Sequence, residues 1–177
     1  MVNERGSALI FTLMVILILT VLGVAILEVT ITNYKISHAY ANSISASYAA
    51  EAALDIAKNE FNDQLLSDLS QRAQNIINNT NEKIPREFLY QSIYSFVQNY
   101  LQENVFYKYP QSGYLGDTGQ KYTIQSMTLD SNYNRLTYII HINTTGEYKN
   151  IKKEGYAELI LNLESSDPLT VSKWEIK

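Results

Sequence analysis

The stretch Ala8–Leu27 reads ALIFTLMVILILTVLGVAIL and carries no charged side chain. As an α-helix rising about 1.5 Å per residue, it extends roughly 30 Å, the thickness of a bilayer's hydrocarbon core. Fourteen of its 20 residues are Leu, Ile, Val or Phe. At roughly −0.3 to −0.6 kcal/mol each near the bilayer centre, they supply a gross insertion term of about −4 to −8 kcal/mol. Thr12, Thr20 and Gly23 subtract little, because a helical threonine hydroxyl bonds back to the preceding turn. The segment is read as one membrane-spanning helix that fixes a water-soluble remainder to a lipid bilayer.

The flanks refine that reading. A cleaved secretory signal needs a shorter apolar core followed by a small-x-small site. Here the core is long and runs into Glu28-Val29-Thr30-Ile31. A plain signal anchor is the simpler alternative. Arg5 precedes the span, Glu28 follows it, and Lys35 is the first cation beyond. That bias places the N-terminus in the cytoplasm and the bulk of the chain outside. Gly6 resists helix formation and Ser7 is a good N-cap, so the helix is expected to begin at Ser7. Arg5–Gly6–Ser7 would then be extended at the interface, where a membrane peptidase could grip a peptide bond.

Composition narrows the function classes. The 177 residues suit one domain plus an anchor. The net charge is −4 and no Lys/Arg stripe occurs, so nucleic acid is not an expected partner. The absence of cysteine excludes disulfides, thiolate metal sites and thiol catalysis. Fourteen tyrosines stand against one tryptophan.

Two stretches carry a family resemblance. Arg5-Gly6-Ser7-Ala8-Leu9-Ile10, running straight into the span, resembles a type IV prepilin leader and junction. Ser47-Tyr48-Ala49-Ala50-Glu51-Ala52-Ala53-Leu54 resembles the small-residue "AAEAxL" stretch of the PilX-type minor pilin N-terminal region, and the lack of a carboxylate at Phe11, taken up below, also resembles the K-type pseudopilins. The resemblance implies a leader at 1–6, a transmembrane helix at 7–28 and an extracytoplasmic head at 29–177. It implies cutting after Gly6 by a prepilin peptidase, methylation of the new amine of Ser7, and packing against other pilins or pseudopilins through the N-terminal helix. One position departs from the family. Most pilins carry Glu as the fifth residue after the cut, and here that position is Phe11. A buried charge pair is worthwhile only when both partners are present, so a chain without the carboxylate is expected to be a minor subunit, at the tip or initiating assembly, rather than the repeating one. The rival from another class is a permanent single-pass protein whose outer domain binds or senses a ligand.

Beyond the span an α+β fold is predicted, with a long helix packed on a three- to four-stranded antiparallel sheet and two extra helices between. Glu28 to Phe61 holds no Pro or Gly, and Ile36, Tyr40, Ile44, Tyr48 and Leu54 recur near helical spacing. The helix is therefore continued to about residue 61. Ala39, Ala41, Ala46, Ala49, Ala50, Ala52 and Ala53 make its middle slim enough for close approach of a sheet or another helix. Leu65, Leu69 and Ala73 carry the apolar stripe to about Asn78. After a polar break at Asn78–Glu82, Pro85 opens a further helix to Val105 with Leu89, Ile93, Val97 and Leu101 on one face. Tyr109–Gly119 reads as a surface turn.

The sheet is placed at about 120–177. Tyr122–Leu129 and Arg135–Asn143 are strands joined by the turn-rich Asp130–Asn134. Glu147–Lys153 (EYKNIKK) reads as a charged loop. Glu154–Leu163 is a strand whose Ala157, Leu159, Leu161 and Leu163 face inward. Val171–Ile176 is an edge strand.

Little chemistry is legible. His38 and His141 have no sequence reason to meet, and Glu51 and Asp55 are like charges at i,i+4. The Gly-rich turn lacks a P-loop pattern, and lone Asp117 makes no calcium loop. Asn143-Thr144-Thr145 and Asn78-Asn79-Thr80 fit a glycosylation sequon, a triplet that arises readily by chance in an Asn-rich chain. No catalytic residue, metal ligand or cofactor is assigned.

Overall fold

The protein was analysed as a computed structural model that describes residues 4–79, 85–131 and 136–177. Helix α1 runs Glu4–Asn59, α2 Asp63–Asn79 and α3 Arg86–Asn104. A single 3₁₀ turn, Phe106–Lys108, leads into five strands: β1 Gln111–Leu115, β2 Gln120–Ser131, β3 Thr137–Tyr148, β4 Ile151–Asn162 and β5 Leu169–Ile176. The sheet is an antiparallel meander in the order β1-β2-β3-β4-β5. The predicted α+β class and its order of helices before sheet are observed, with one strand more than expected. The chain divides into two units, Met1–Ala41 and Asn42–Lys177.

Each departure from the sequence reading has a local cause. The extra strand is β1, which lies inside the segment read as a surface turn. It pairs along its whole length with the start of β2, and Gly116 and Gly119 take the left-handed conformations that close the connecting turn. The loop expected at Glu147–Lys153 is instead a tight hairpin. Lys149 sits in the left-handed region at φ 52°, and the ladder continues from Tyr148↔Ile151 to Thr137↔Asn162 without interruption. The helix starts at Glu4 rather than Ser7. A glycine costs an interior helix about 1 kcal/mol, too little to stop a helix already propagating through the residues behind it. The linker Asp130–Asn134 and the break Asn78–Glu82 lie partly outside the described residues.

In the second unit the core forms where one face of α1 meets the inner face of the sheet. Ala46, Ala49, Ala50, Ala53, Leu54 and Ala57 are fully buried. Opposite them stand Tyr138, Ile140, Ile142 and Thr144 of β3 and Ala157, Leu159 and Leu161 of β4, all buried. Period-2 alternation on β4 thus meets period-3.6 recurrence on α1. Contact is closest at Gly146, where a Cβ would lie 2.1 Å from the Ala46 carbonyl oxygen and 2.2 Å from the Ala50 nitrogen. Beside it, Thr144 Oγ1 donates to the Ala50 carbonyl at 3.0 Å, which satisfies a hydroxyl buried between the layers.

The remaining helices close the core. Asn62 caps α2, its Oδ1 accepting from Leu65 N–H at 3.0 Å. Leu66, Leu69 and Ala73 of α2 and Ile93, Val97 and Leu101 of α3 turn inward. Glu60, just past α1, forms an ion pair with Lys108 of the 3₁₀ turn.

Tyr138 is an exception to satisfied burial. It is 1% exposed, stacks on Tyr94 at 6.1 Å between centroids, and its hydroxyl has no hydrogen-bond partner among the described residues. Burial, with Tyr94 adding to it, pushes its phenol from 10 up to about 12. In the unfolded chain this phenol ionises near pH 10 while the folded chain holds its proton, so the Tyr138 contribution to stability is constant below pH 10 and is lost as pH rises towards 12. Tyr138→Phe removes an unpaired hydroxyl and is expected to leave stability at neutral pH unchanged or raised by about 1 kcal/mol. Denaturant unfolding at pH 7 and pH 11 checks both halves, since the variant should also lose less stability between them.

Candidate functional site

The first unit consists of α1 through Ala41, and every side chain from Ser7 to Ala41 is exposed. Phe11 is 69% exposed and Leu9 66%, and the Leu, Ile and Val side chains through Leu27 are likewise uncovered. Such a surface is incompatible with water and suits hydrocarbon or a bundle of similar helices. Its polar atoms are internally satisfied. Thr12, Thr20 and Thr30 donate to the carbonyls of Ala8, Ile16 and Ile26, each at 2.8 Å. The helix is long and apolar enough to cross a membrane. Tyr34 and His38 follow on it with ring centroids 4.3 Å apart.

Gly6 and Ser7 both lie within α1, as does Phe11. In the second unit the small-residue stretch separates by face. Ala49, Ala50, Ala53 and Leu54 are buried in the core, whereas Ala52 is half-buried and Glu51 exposed. This explains the spacing of small side chains, because a larger residue at 49, 50 or 53 would push the sheet off the helix.

A polar arrangement invisible in the sequence lies on the outer face of the sheet. β3 and β4 set His141 opposite Glu158 and Asn143 opposite Tyr156. Tyr156 donates its hydroxyl proton to Glu158 Oε1, and His141 Nδ1 lies 2.8 Å from the same hydroxyl. With that proton committed to Glu158, Nδ1 is assigned as the donor in the contact between the imidazole and the Tyr156 hydroxyl. The bond to Glu158 is the largest cause pushing the Tyr156 phenol up to about 12, followed by desolvation and the Glu158 and Glu175 charges. Lys173 of β5 covers the Tyr156 ring at 5.2 Å and pairs with Glu175 at 3.3 Å. These groups knit three strands. Only the strand register reveals them, and the register depended on the unread hairpin at Lys149.

The sequons have a structural answer too. Asn143 donates to Ser126 at 3.3 Å, and Thr144 and Thr145 are both buried in β3. That triplet is closed to an enzyme acting on the folded chain. Asn78-Asn79-Thr80 ends outside the described residues.

The chain is thus an α+β protein in which an N-terminal helix long and apolar enough to cross a membrane continues into an alanine face packed on a meander sheet. Residues 5–55 match the family model described as PilX N-terminal, in agreement with a type IV pilin-like N-terminal region. No curated protein and no solved structure matches the chain. The matched span covers the apolar helix and the first turns of the alanine face, and stops just after Leu54.

Proposed function

We propose that this chain is a minor subunit of a type IV pilus or a related pilus-like filament, held in the membrane and later assembled through its N-terminal helix. The carrying observation is a coincidence: the span matched by the PilX N-terminal family contains the apolar segment whose side chains are exposed. A bilayer covers such a surface in storage and neighbouring subunits cover it in a filament. The subunit's role is structural rather than catalytic. Its N-terminus is cytoplasmic, its head extracytoplasmic, and assembly carries it to the cell surface.

Processing follows from the same reading. A prepilin peptidase cuts between Gly6 and Ser7, and the amine of Ser7 is then methylated. The helical state of Gly6–Ser7 means that the first turn must open for cleavage. Gly6 lowers that cost, being worth about 1 kcal/mol less than Ala in a helix. In cells with the peptidase, N-terminal sequencing of the mature protein is expected to start at Ser7, and Gly6→Val to leave Met1 in place. An intact Met1 in the unmodified chain overturns the processing reading.

Phe11 supports a minor position, at the tip or in initiation. Without a carboxylate there, the chain cannot pair within lipid with a neighbour's terminal amine. Phe11→Glu adds roughly 2.5 to 3.5 kcal/mol to insertion if fully at the bilayer centre, less than the gross term of the span. The variant is therefore expected to insert normally and to change the amount of this subunit per filament. Unchanged filament number and composition would remove the significance assigned to Phe11.

A further inference from the structure

The start of α2 and the β4–β5 connection line an open cavity of about 510 Å³, within the range of small-ligand sites, with Asp63, Ser67, Ser165, Ser166 and Asp167 exposed along it. One wall is a single face of α2 presenting Asp63, Ser67 and Ser70. The other is the connection itself, presenting Ser165, Ser166 and Asp167. Phe61, Leu66 and Leu169 form an apolar floor. Both walls are tied by local hydrogen bonds. Asn62 caps α2 as described, and Asn162 Oδ1 accepts from Glu164 N–H at 3.0 Å while Ser165 Oγ accepts from Asp167 N–H at 3.1 Å. The strand ends meet where Asn162 N–H donates to the Pro168 carbonyl at 2.7 Å.

The chemistry of the lining selects a ligand class. Two carboxylates and no lining cation disfavour anions. Hydroxyls on both walls disfavour a purely apolar guest, which would leave them unpaired. The lining offers alcohol donors, strong carboxylate acceptors and an apolar base. That set complements a molecule with hydroxyls around its rim and a C–H face, which is a sugar ring. A bare cation would gain from the carboxylates alone, with no use for the apolar floor. We infer that this cavity is a saccharide-binding site in which Asp63 and Asp167 accept from ring hydroxyls and the floor stacks against the ring's apolar face. It adds a recognition role to the head and does not depend on the filament reading.

The test uses the full chain in a detergent without a sugar headgroup. Saturation-transfer NMR is run against methyl α-mannoside, methyl β-galactoside and N-acetylglucosamine, with Nα-acetyl-lysine methylamide as the cationic comparison. Transfer is expected to at least one saccharide, with affinity near the millimolar range, about what a few hydrogen bonds and one stacked face supply. Asp63→Asn and Asp167→Asn should each weaken it at least fivefold, and Ser67→Trp or Ser166→Trp, exposed positions on opposite walls, should abolish it. A thermal melt of each variant shows whether it is folded, and the two walls give independent readings. No transfer to any of the three sugars overturns the assignment. So does transfer that persists in the folded tryptophan variants, and so does binding of the lysine amide alone, which would mark the cavity as a dock for a cationic peptide.

Discussion

Gly146→Ala is expected to lower the thermal midpoint of the second unit by about 10 °C, from a destabilisation of roughly 3 kcal/mol. The added methyl would lie 2.1 Å from the Ala46 oxygen, 2.2 Å from the Ala50 nitrogen and 2.8 Å from the Ala49 carbonyl carbon. All three are helix backbone, so no rotamer relieves the overlap. The helix must lift from the sheet, which also stretches the buried bond from Thr144 to the Ala50 carbonyl. Gly113→Ala is the control. Its Cβ would meet the Tyr122 ring at 2.6 Å, a side chain that can swing away, so its cost should be distinctly smaller. Equal melting of the two variants would mean that the layers are less tightly apposed at Gly146 than described.

The second large effect concerns solubility. A chain comprising residues 42–177 is expected to move entirely from the detergent phase to the aqueous phase while keeping a cooperative unfolding transition. Among the described residues, the buried core runs from Ala46 to Leu163 and lies in this unit, and the described residues of the segment removed contribute none. What is lost is an exposed run of Leu, Ile, Val and Phe whose contact with water is unfavourable. Detergent partitioning and a denaturant titration of both forms check this. If the shorter chain aggregates or unfolds without a transition, α1 before Ala41 has a stabilising role that its exposure does not indicate.

How much of this was legible depended on whether the governing interaction was local. The apolar span is a composition signal and needs no partner. The alanine face of α1 and the alternation of Tyr156–Leu163 each show the period of their element, so their inward residues could be named from spacing alone. β1 could not be found in this way, because five residues containing Gly113 become a strand only by pairing with β2. The hairpin at Lys149–Asn150 lacks the glycine that usually marks such a turn, and a lysine holds the left-handed position instead. Missing that turn hid the register, and with it the meeting of His141, Tyr156 and Glu158. The cavity beside α2 was illegible for the same reason, since its walls are about 100 residues apart in sequence and share no periodicity.

The two outer strands of the sheet differ from the inner ones in a way that bears on crowding. β1 is only five residues long, and β5 carries an extra residue, Ser172, between the pairs Glu158↔Lys173 and Leu159↔Val171, with Lys173 and Glu175 alongside. A short border and a kinked, charged border are both poor templates for a further strand. Copies of this chain concentrated side by side therefore have little tendency to zip together through their sheets. Growth of the sheet from copy to copy is disfavoured at both of its borders.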